Sequence, residues 1–321
     1  HCCCCLSFVR GVMDINAEAR AFLDRIKDKP TFESLPVAKA RRLFREIASI
    51  AASPPTDLHK ITDMELPVPG RQILVRIYRP GDEDNLPVMV YFHGGGWVIG
   101  DLETHDSFCR SLAKTGGFVV IAVDYRLAPE HKFPVAHEDC MAATSWIAAN
   151  GAVLAVDTSR LVVAGDSAGA TMAAAVCQQA AREGQPNIKY QVLLQPVTDI
   201  PTPYPSKEEY AEGHFLTTTL VQWAAGHYLN SLEEAGDVRM SPNLAESLSD
   251  LPAALMLIGT HDMLHSECEA YARHLEKDGV DVNLSIYPGQ IHDFMMFDGI
   301  IGDGKKAIEE ICSAVNEAIT L

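Results

Sequence analysis

The chain is poor in positive charge and lacks a long apolar run. Its 321 residues include 26 Lys and Arg against 43 Asp and Glu, which gives a formal net charge of −17. We expect no nucleic-acid partner, because phosphate binding needs a basic face. No run of about 18 apolar residues occurs, so no membrane span is predicted. With 47% apolar and 21% charged residues, the chain can bury a continuous sheet and is neither disordered nor fibrous.

Cysteine spacing gives no sign of a metal site, and we expect no metal and no other cofactor. The four cysteines at positions 2–5 are adjacent, whereas zinc ligands are commonly separated by about two to four residues. Met13 begins a helical pattern, so residues 1–12 are predicted to be a tag remnant or an extended start. Five scattered cysteines are expected to be small core residues in a reducing, cytoplasmic compartment: Cys109, Cys140, Cys177, Cys268 and Cys312.

Two segments are expected to form a cap over the ends of a sheet. Residues 13–55 place apolar and charged positions at helical spacing, broken at Pro30 and Pro36. Residues 201–245 are rich in Pro, Glu, Tyr and Thr, and they contain a predicted helix that begins near Thr217. An insertion of this size between two strands can fold over the strand ends, together with the N-terminal helices.

The remaining segments, 56–200 and 246–321, alternate apolar strands with helical stretches and form the two parts of one predicted domain. Runs such as "PVMVYF" and "FVVIAV" are continuously apolar, as in strands that are covered on both faces. This alternation predicts an α/β fold in which a mostly parallel sheet carries helices on both faces.

A serine lies at the junction of a predicted strand and a predicted helix, in "RLVVAGDSAGATMAAAV". Gly165 and Gly169 stand two positions before and after Ser167, and glycine lets the backbone turn sharply without a Cβ clash. The turn places the hydroxyl at a strand end and at a helix N-terminus, where free N–H groups favour negative charge. In this context G-x-S-x-G predicts a nucleophile elbow, with a small-residue packing turn as the alternative.

A serine nucleophile needs a base and an acid that orients the base. In this motif the acid follows the serine along the chain, and the histidine follows the acid. Asp262 ends the strand "ALMLIGTHD" and is the leading acid, with Asp199 and Glu267 as alternatives. His292, just after the last predicted strand, is the predicted base. Three other histidines lie beside the acid or on the helix that follows it, and they are less suitable: His261, His265 and His274.

A glycine-rich loop follows the strand "PVMVYFH". It contains Gly94, Gly95 and Gly96, whose amides no side chain obstructs. Together with the amide of Ala168, they are predicted to stabilise the oxyanion that forms during attack. A phosphate loop is not predicted, since no following lysine and no G-x-G-x-x-G spacing is present. His93 is expected to brace its own loop by hydrogen bonds.

Several large apolar residues near these motifs are candidates for the walls of a small to medium substrate pocket: Trp97, Phe215, Leu216, Trp223 and Phe294. Plain core packing explains each of them at least as well, because apolar residues at regular spacing usually form the core. We therefore expect these residues to lie either in the wall of the pocket or in the core.

Five motifs carry a resemblance that extends from about residue 60 to the C-terminus: "HGGGWVIGDLETHD", "VDYRLAPEHKFPVAHEDC", "GDSAGA", "HDMLHSECEAYARHLEKDGVDV" and "YPGQIHDF". The chain resembles the bacterial hormone-sensitive-lipase-like (family IV) esterases of the α/β-hydrolase superfamily, in the GDSAG subgroup. The resemblance implies an eight-stranded sheet, a helical cap and hydrolysis of short- to medium-chain carboxylic esters through an acyl-enzyme. It also implies the site residues: a triad of Ser167, Asp262 and His292, with Gly95, Gly96 and Ala168 as oxyanion donors.

The resemblance also bears on oligomeric state and on alternative functions, and the chain departs from the family pattern at one position. Members of the family often dimerise through the last strand, here "VNLSIYP", so we expect a homodimer. The same fold also serves other acyl hydrolases, such as amidases, peptidases and deacetylases, and non-catalytic small-molecule receptors. The family usually has glycine after the catalytic histidine, whereas Asp293 follows His292 here. Its carboxylate either raises the pKa of the imidazole or points to water.

Overall fold

The computed structural model describes residues 14–320, and the segment 1–12 with its four cysteines lies outside that range. Eight strands form one sheet: β1 (Lys60–Val68), β2 (Arg71–Arg79), β3 (Leu86–Phe92), β4 (Val119–Val123), β5 (Val156–Asp166), β6 (Tyr190–Leu194), β7 (Ala254–His261) and β8 (Val282–Ile291). Their order across the sheet is β1-β2-β4-β3-β5-β6-β7-β8. Strand β2 runs antiparallel to β1 and β4, and the other pairs are parallel. The predicted mostly parallel, eight-stranded sheet is confirmed.

Helices flank the sheet and extend beyond its strand ends. Within residues 14–320 the α-helices are α1 (Ala17–Ile26), α2 (Val37–Ala51), α3 (Asp106–Gly116), α4 (Val135–Ala149), α5 (Gly151–Leu154), α6 (Ala168–Glu183), α7 (Pro205–Glu209), α8 (Thr218–Tyr228), α9 (His265–Lys277) and α10 (Asp303–Thr320). Helix α3 packs against α10, and α4 packs against α6. None of these helices combines the length and the apolar character that crossing a membrane requires.

Burial differs between the middle and the edge of the sheet. Every residue of β4 is buried, and so is every residue of β3 except Leu86, as expected for strands covered by helices on both faces. Strand β1 lies at the edge and is largely exposed over its first six residues. Its apolar pattern is correspondingly weak, so the sequence contains little signal for this strand. A turn at Pro69 and Gly70 joins β1 to β2, with Gly70 at a φ of 77°.

Two segments pack together beyond the strands and form what we call the cap: residues 17–51, with α1 and α2, and residues 205–244, with α7 and α8. They meet at a cluster of aromatic rings. Phe22 of α1 stacks on Phe297 with 4.1 Å between ring centroids, and it lies 5.6 Å from Phe215. Phe22 is fully buried, so the removal of apolar surface from water holds α1 against Phe215 of the second segment and against Phe297, which follows β8.

Arg41 of α2 attaches the cap to the glycine-rich loop after β3. Its Nε donates to the carbonyl oxygen of Val98 at 2.9 Å, and its Nη2 donates to that of Ala128 at 2.8 Å. Both Nη atoms also bond the carboxylate of Glu130, at 2.8 and 2.7 Å. The paired contacts suit the planar fork of the guanidinium, and they fix α2 against the loop that carries the predicted oxyanion donors.

Candidate active site

Ser167 lies in the turn between β5 and α6, in a backbone conformation that most residues avoid. Its φ of 52° and ψ of −121° are strained for a residue other than glycine, and its N–H donates to the carbonyl oxygen of Leu194 at 2.8 Å. A Cβ atom on Gly169 would overlap the carbonyl oxygen of Phe92 at the end of β3. The close approach of α6 to β3 therefore requires glycine, and this approach sets the position of Ser167.

Three side chains from three strand ends form a hydrogen-bonded chain. Nε2 of His292 lies 2.8 Å from Oγ of Ser167, and Nδ1 of His292 lies 2.7 Å from Oδ2 of Asp262. Asp262 directly follows β7, and His292 directly follows β8. All three side chains are more than nine-tenths buried. In this geometry the imidazole can accept the serine proton while the carboxylate holds the imidazole in the required tautomer.

The two alternative acids are engaged elsewhere. Asp199 accepts a hydrogen bond from the hydroxyl of Tyr204 at 2.9 Å. Glu267 is paired with Lys207 at 2.8 Å. Burial raises the pKa of Glu267 to about 7, although the positive charge of Lys207 opposes the shift. Neither carboxylate is bonded to the imidazole that contacts the serine.

Gln195, at the end of β6, is a site residue that the sequence did not predict. Its Nε2 donates to Oδ2 of Asp262 at 2.7 Å and to the carbonyl oxygen of Ile291 at 3.2 Å. Its Oε1 accepts the N–H of Asp293 at 2.7 Å. One buried amide therefore ties the acid to the loop that carries His292. The only signal in the sequence is a polar residue at the end of the apolar run "YQVLLQP".

Asp166, immediately before the serine, joins the turn to the glycine-rich loop. Its Oδ1 accepts the N–H of Gly94 at 3.0 Å and the hydroxyl of Tyr91 at 2.5 Å, while Oδ2 lies 3.2 Å from Nε2 of His105. Burial alone would raise the pKa of Asp166, but the charge and the hydrogen bond of His105 outweigh it and lower the pKa. The predicted oxyanion role of Gly94 is wrong, because its amide is already donated to this carboxylate.

The other three predicted oxyanion donors border the cavity at Ser167. Gly95 and Gly96 have φ values of 119° and 60°, and both border the same cavity as Ser167 and Ala168. Within residues 14–320, no acceptor receives a hydrogen bond from the amides of these two glycines or of Ala168. The three N–H groups are therefore available to a developing negative charge.

His93 braces the glycine-rich loop, in agreement with the prediction. Its Nδ1 donates to the carbonyl oxygen of Gly94 at 2.7 Å, and its ring stacks on Tyr125 with centroids 4.2 Å apart. Burial lowers the pKa of His93 to about 4. The remaining histidines considered as a base have other neighbours: His261 contacts Thr260, His265 faces Glu269, and His274 faces Asn243 and Asp278. Across positions 14–320, no cluster of three or more His, Cys, Asp or Glu side chains is placed to hold a metal.

A cavity of about 80 Å³ lies against Ser167, between the glycine-rich loop and the cap. Four of the five predicted pocket residues line it: Trp97, Phe215, Leu216 and Trp223. The prediction is wrong for Phe294. The chain turns at Asp293, which has a φ of 56°, and this turn directs Phe294 into the core, 4.8 Å from the ring of Tyr287.

Asp293 lines the cavity, with its carboxylate beside the imidazole. Its Oδ1 lies 3.6 Å from Nε2 of His292, and only 6% of the residue is exposed, so the alternative that it points to bulk water is wrong. Burial lowers the pKa of His292, but the negative charges of Asp262 and Asp293 outweigh burial and raise that pKa above its usual range, with a smaller contribution from Asp166. The neutral, basic form of His292 therefore requires a higher pH.

Comparison with known proteins shows which proteins this chain is similar to. A family described as the alpha/beta hydrolase fold matches residues 89–296. Ethyl acetate hydrolase of Pseudomonas putida is 35% identical over 316 residues, covering 95% of this chain and 99% of that protein. Carboxylesterase NlhH of Mycobacterium tuberculosis is 37% identical over 251 residues, covering 77% and 79%. An ester hydrolase from the metagenome of Lake Arreo, solved with a bipyridine phosphonate derivative, superposes with a TM-score of 0.92 at 35% identity, covering 96% and 100%.

The chain therefore belongs to the alpha/beta hydrolase fold family. Within that class it is a carboxylic ester hydrolase of the carboxylesterase type. The resemblance to hormone-sensitive-lipase-like esterases, carried by the five sequence motifs, is confirmed at the level of the family.

The position of Asp293 predicts the pH dependence of activity. The neutral imidazole is the form that accepts a proton. When the pKa of the base is raised, the activity of the enzyme therefore begins to fall at a higher pH as the solution is acidified. Replacing Asp293 with Asn removes one of the negative charges that raise the pKa of His292. The acid limb of the profile of kcat/KM against pH should therefore move to lower pH in Asp293→Asn.

The control is Asp281→Asn, which removes the same charge from an exposed position at the start of β8. Its acid limb should coincide with that of the wild type. An acid limb that Asp293→Asn leaves unchanged would show that Asp293 does not set the pKa of the base.

Proposed function

We propose that Ser167 is the nucleophile of this esterase. Nε2 of His292 accepts the proton of Oγ as the serine attacks the ester carbonyl, and Asp262 stabilises the imidazolium that forms. The same imidazolium then gives the proton to the departing alcohol. The observation that supports this assignment is the continuous chain of hydrogen bonds, 2.8 Å from Oγ to Nε2 and 2.7 Å from Nδ1 to the carboxylate.

We assign the oxyanion site to the amides of Gly95, Gly96 and Ala168. The carbonyl oxygen of the ester becomes negatively charged when Ser167 attacks, and donors that are already in place stabilise that charge without reorganisation. Each donor contributes roughly 3 kcal/mol in enzymes where it has been removed. Water then repeats the attack on the acyl-enzyme, with His292 again accepting the proton, and releases the carboxylic acid.

Three substitutions test the triad, one of the serine and one of each competing acid. Ser167→Ala should lose at least about 10⁴-fold in kcat, and Asp262→Asn should lose about 10⁴-fold in kcat, because the imidazole then adopts the wrong tautomer. Asp199→Asn is the matched control, since Asp199 is buried after the neighbouring strand but bonds Tyr204. It should keep activity within about threefold of the wild type, because the two hydrogen bonds that the carboxylate of Asp199 accepts, from Tyr204 and from the N–H of Thr202, do not involve His292.

The activity of all three variants is measured as the initial rate of p-nitrophenyl acetate hydrolysis, and circular dichroism checks that each variant is folded. Turnover in Ser167→Ala equal to that of the wild type would contradict the assignment of Ser167 as the nucleophile. A large loss in Asp199→Asn together with an active Asp262→Asn would transfer the role of the acid to Asp199.

We propose that the natural substrates are esters of short to medium acyl chains. The cavity of about 80 Å³ at Ser167 is far smaller than the roughly 300 Å³ at the lower end for pockets that hold drug-sized ligands. Large side chains of the cap and of the glycine-rich loop line it, among them Trp97, Phe215 and Trp223. The similarity to an ethyl acetate hydrolase supports a small acyl group.

A series of p-nitrophenyl esters tests this preference. The resemblance to hormone-sensitive-lipase-like esterases implies that kcat/KM is highest for acyl chains of about two to eight carbons. We expect it to fall beyond them, because a small cavity limits how much apolar chain can be buried. Leu216→Ala enlarges the cavity and should move the optimum to longer chains. Leu244→Ala, at an exposed position of the cap, should leave the optimum in place. Activity that rose steadily to the sixteen-carbon ester, roughly twice the expected limit, would contradict the proposal.

We propose that the chain forms a homodimer through β8. This strand is at one edge of the sheet, and an uncovered edge can pair with a second copy. Ile286 on β8 is 42% exposed.

Light scattering should give twice the mass of the chain for the wild type and the mass of one chain for Ile286→Lys. Val153→Lys, which places the same charge on another exposed apolar position, should remain dimeric, and a monomeric wild type would rule the proposal out.

We also infer that the protein works in a reducing compartment such as the cytoplasm. The five cysteines within residues 14–320 are buried and carry free thiols. Burial raises the pKa of the thiol of Cys177 and of Cys312, which keeps these thiols in the unreactive, protonated form.

A further inference from the structure

Asp293 places a carboxylate where its turn does not need one. The residue has a φ of 56° and a ψ of 22°, a conformation that glycine adopts without strain. Its main chain is fully used, because the N–H donates to Gln195 at 2.7 Å and the carbonyl oxygen accepts the N–H of Met296 at 2.8 Å. These bonds hold the loop after His292 whatever side chain stands at this position.

One oxygen of the side chain lacks a hydrogen-bond partner. Oδ1 of Asp293 is buried and has no hydrogen-bond partner in the described part of the chain. A buried acceptor without a partner costs about 1–3 kcal/mol, and more if it is charged. The same residue borders the cavity that contains Ser167, Gly95 and Gly96. The carboxylate therefore has an unused acceptor next to the place where the chemistry occurs.

We propose that Asp293 positions the water that hydrolyses the acyl-enzyme, an inference that rests on the proposed role of Ser167. Oδ1 of Asp293 and Nε2 of His292 are 3.6 Å apart. A single water molecule can bond both atoms, because its two hydrogen bonds need only about 2.8 Å each. While the acyl group occupies Oγ of Ser167, Nε2 is no longer bonded to the serine hydroxyl and can accept from this water.

Hydrolysis of the acyl-enzyme proceeds through a tetrahedral intermediate. The water oxygen attacks the acyl carbon as one of its protons passes to Nε2 of His292. Its second proton remains covalently bound to the attacking oxygen and is hydrogen-bonded to Oδ1 of Asp293. The amides of Gly95 and Gly96 receive the oxyanion. When the tetrahedral intermediate collapses, the bond from carbon to Oγ breaks, and Oγ of Ser167 takes the proton back from Nε2. The product is the free carboxylic acid, and Asp293 has accepted a hydrogen bond without taking a proton.

This arrangement discriminates between water and alcohols as acyl acceptors. An alcohol has one O–H, and Nε2 of His292 must receive that proton. Its alkyl group then faces Oδ1 of Asp293, which is left without a donor beside it. Asp293 should therefore favour hydrolysis over transfer of the acyl group to an alcohol.

The partition of the acyl-enzyme in aqueous methanol measures this preference. With p-nitrophenyl butyrate as substrate, gas chromatography gives the ratio of methyl butyrate to butyric acid. Asp293→Gly should raise this ratio about fivefold, the effect of one lost hydrogen bond of ordinary strength. Asp293→Asn keeps an acceptor oxygen and should stay within about twofold of the wild type.

The ratio isolates positioning of water from other effects of the substitution. Both acceptors react with the same acyl-enzyme and use the same imidazole, so slower acylation or a changed pKa of His292 cancels. Both variants suit a positive φ, and their melting temperatures check folding. An equal ratio in the wild type and Asp293→Gly, or a ratio in Asp293→Asn as high as in Asp293→Gly, would overturn the proposal. Failure of the proposed nucleophile is a separate result, visible as turnover in Ser167→Ala.

Discussion

The close approach of α6 to the end of β3 is the contact on which the site depends. Gly169 lies so near the carbonyl oxygen of Phe92 that no side chain fits between them. This contact forces the strained turn at Ser167 and places the amide of Ala168 beside the glycine-rich loop that follows β3. The proposed nucleophile and the proposed oxyanion donors are thus positioned by one packing contact between a helix and a strand, and not by flexible side chains.

Buried polar residues then make this geometry rigid. Asp166 connects the turn to Gly94, and Gln195 connects Asp262 to the loop after β8. Each of these bonds joins segments that are far apart in the chain, and breaking one would leave a buried partner unsatisfied, at a cost of about 1–3 kcal/mol. Arg41 extends the same principle to the cap by bonding the glycine-rich loop. The proposed oxyanion donors and the proposed base are therefore held in place before substrate arrives, as electrostatic catalysis requires.

The sequence predicted those features whose physical cause is local or ordered along the chain. The elbow at Ser167 follows from glycine spacing between a strand and a helix, and His292 follows from the order of residues in this fold. The two wrong predictions, for Gly94 and Phe294, concern where an amide or a side chain points, which only the folded structure determines. The amide of Gly94 is used because Asp166 folds back onto it, and Phe294 leaves the pocket because the preceding residue has a positive φ. The role of Gln195 depends on partners about 70 to 100 positions away along the chain, which no local pattern contains.

The central claim is that the imidazole of His292 activates the hydroxyl of one buried serine. Labelling with a serine-reactive alkyl phosphonate, followed by peptide mass spectrometry, tests it most directly, because the reagent needs both the nucleophile and the oxyanion donors. The account predicts one phosphonyl group per chain, on the peptide that contains Ser167, with loss of activity in proportion to labelling. A label on another residue, or full activity with Ser167 completely modified, would contradict it.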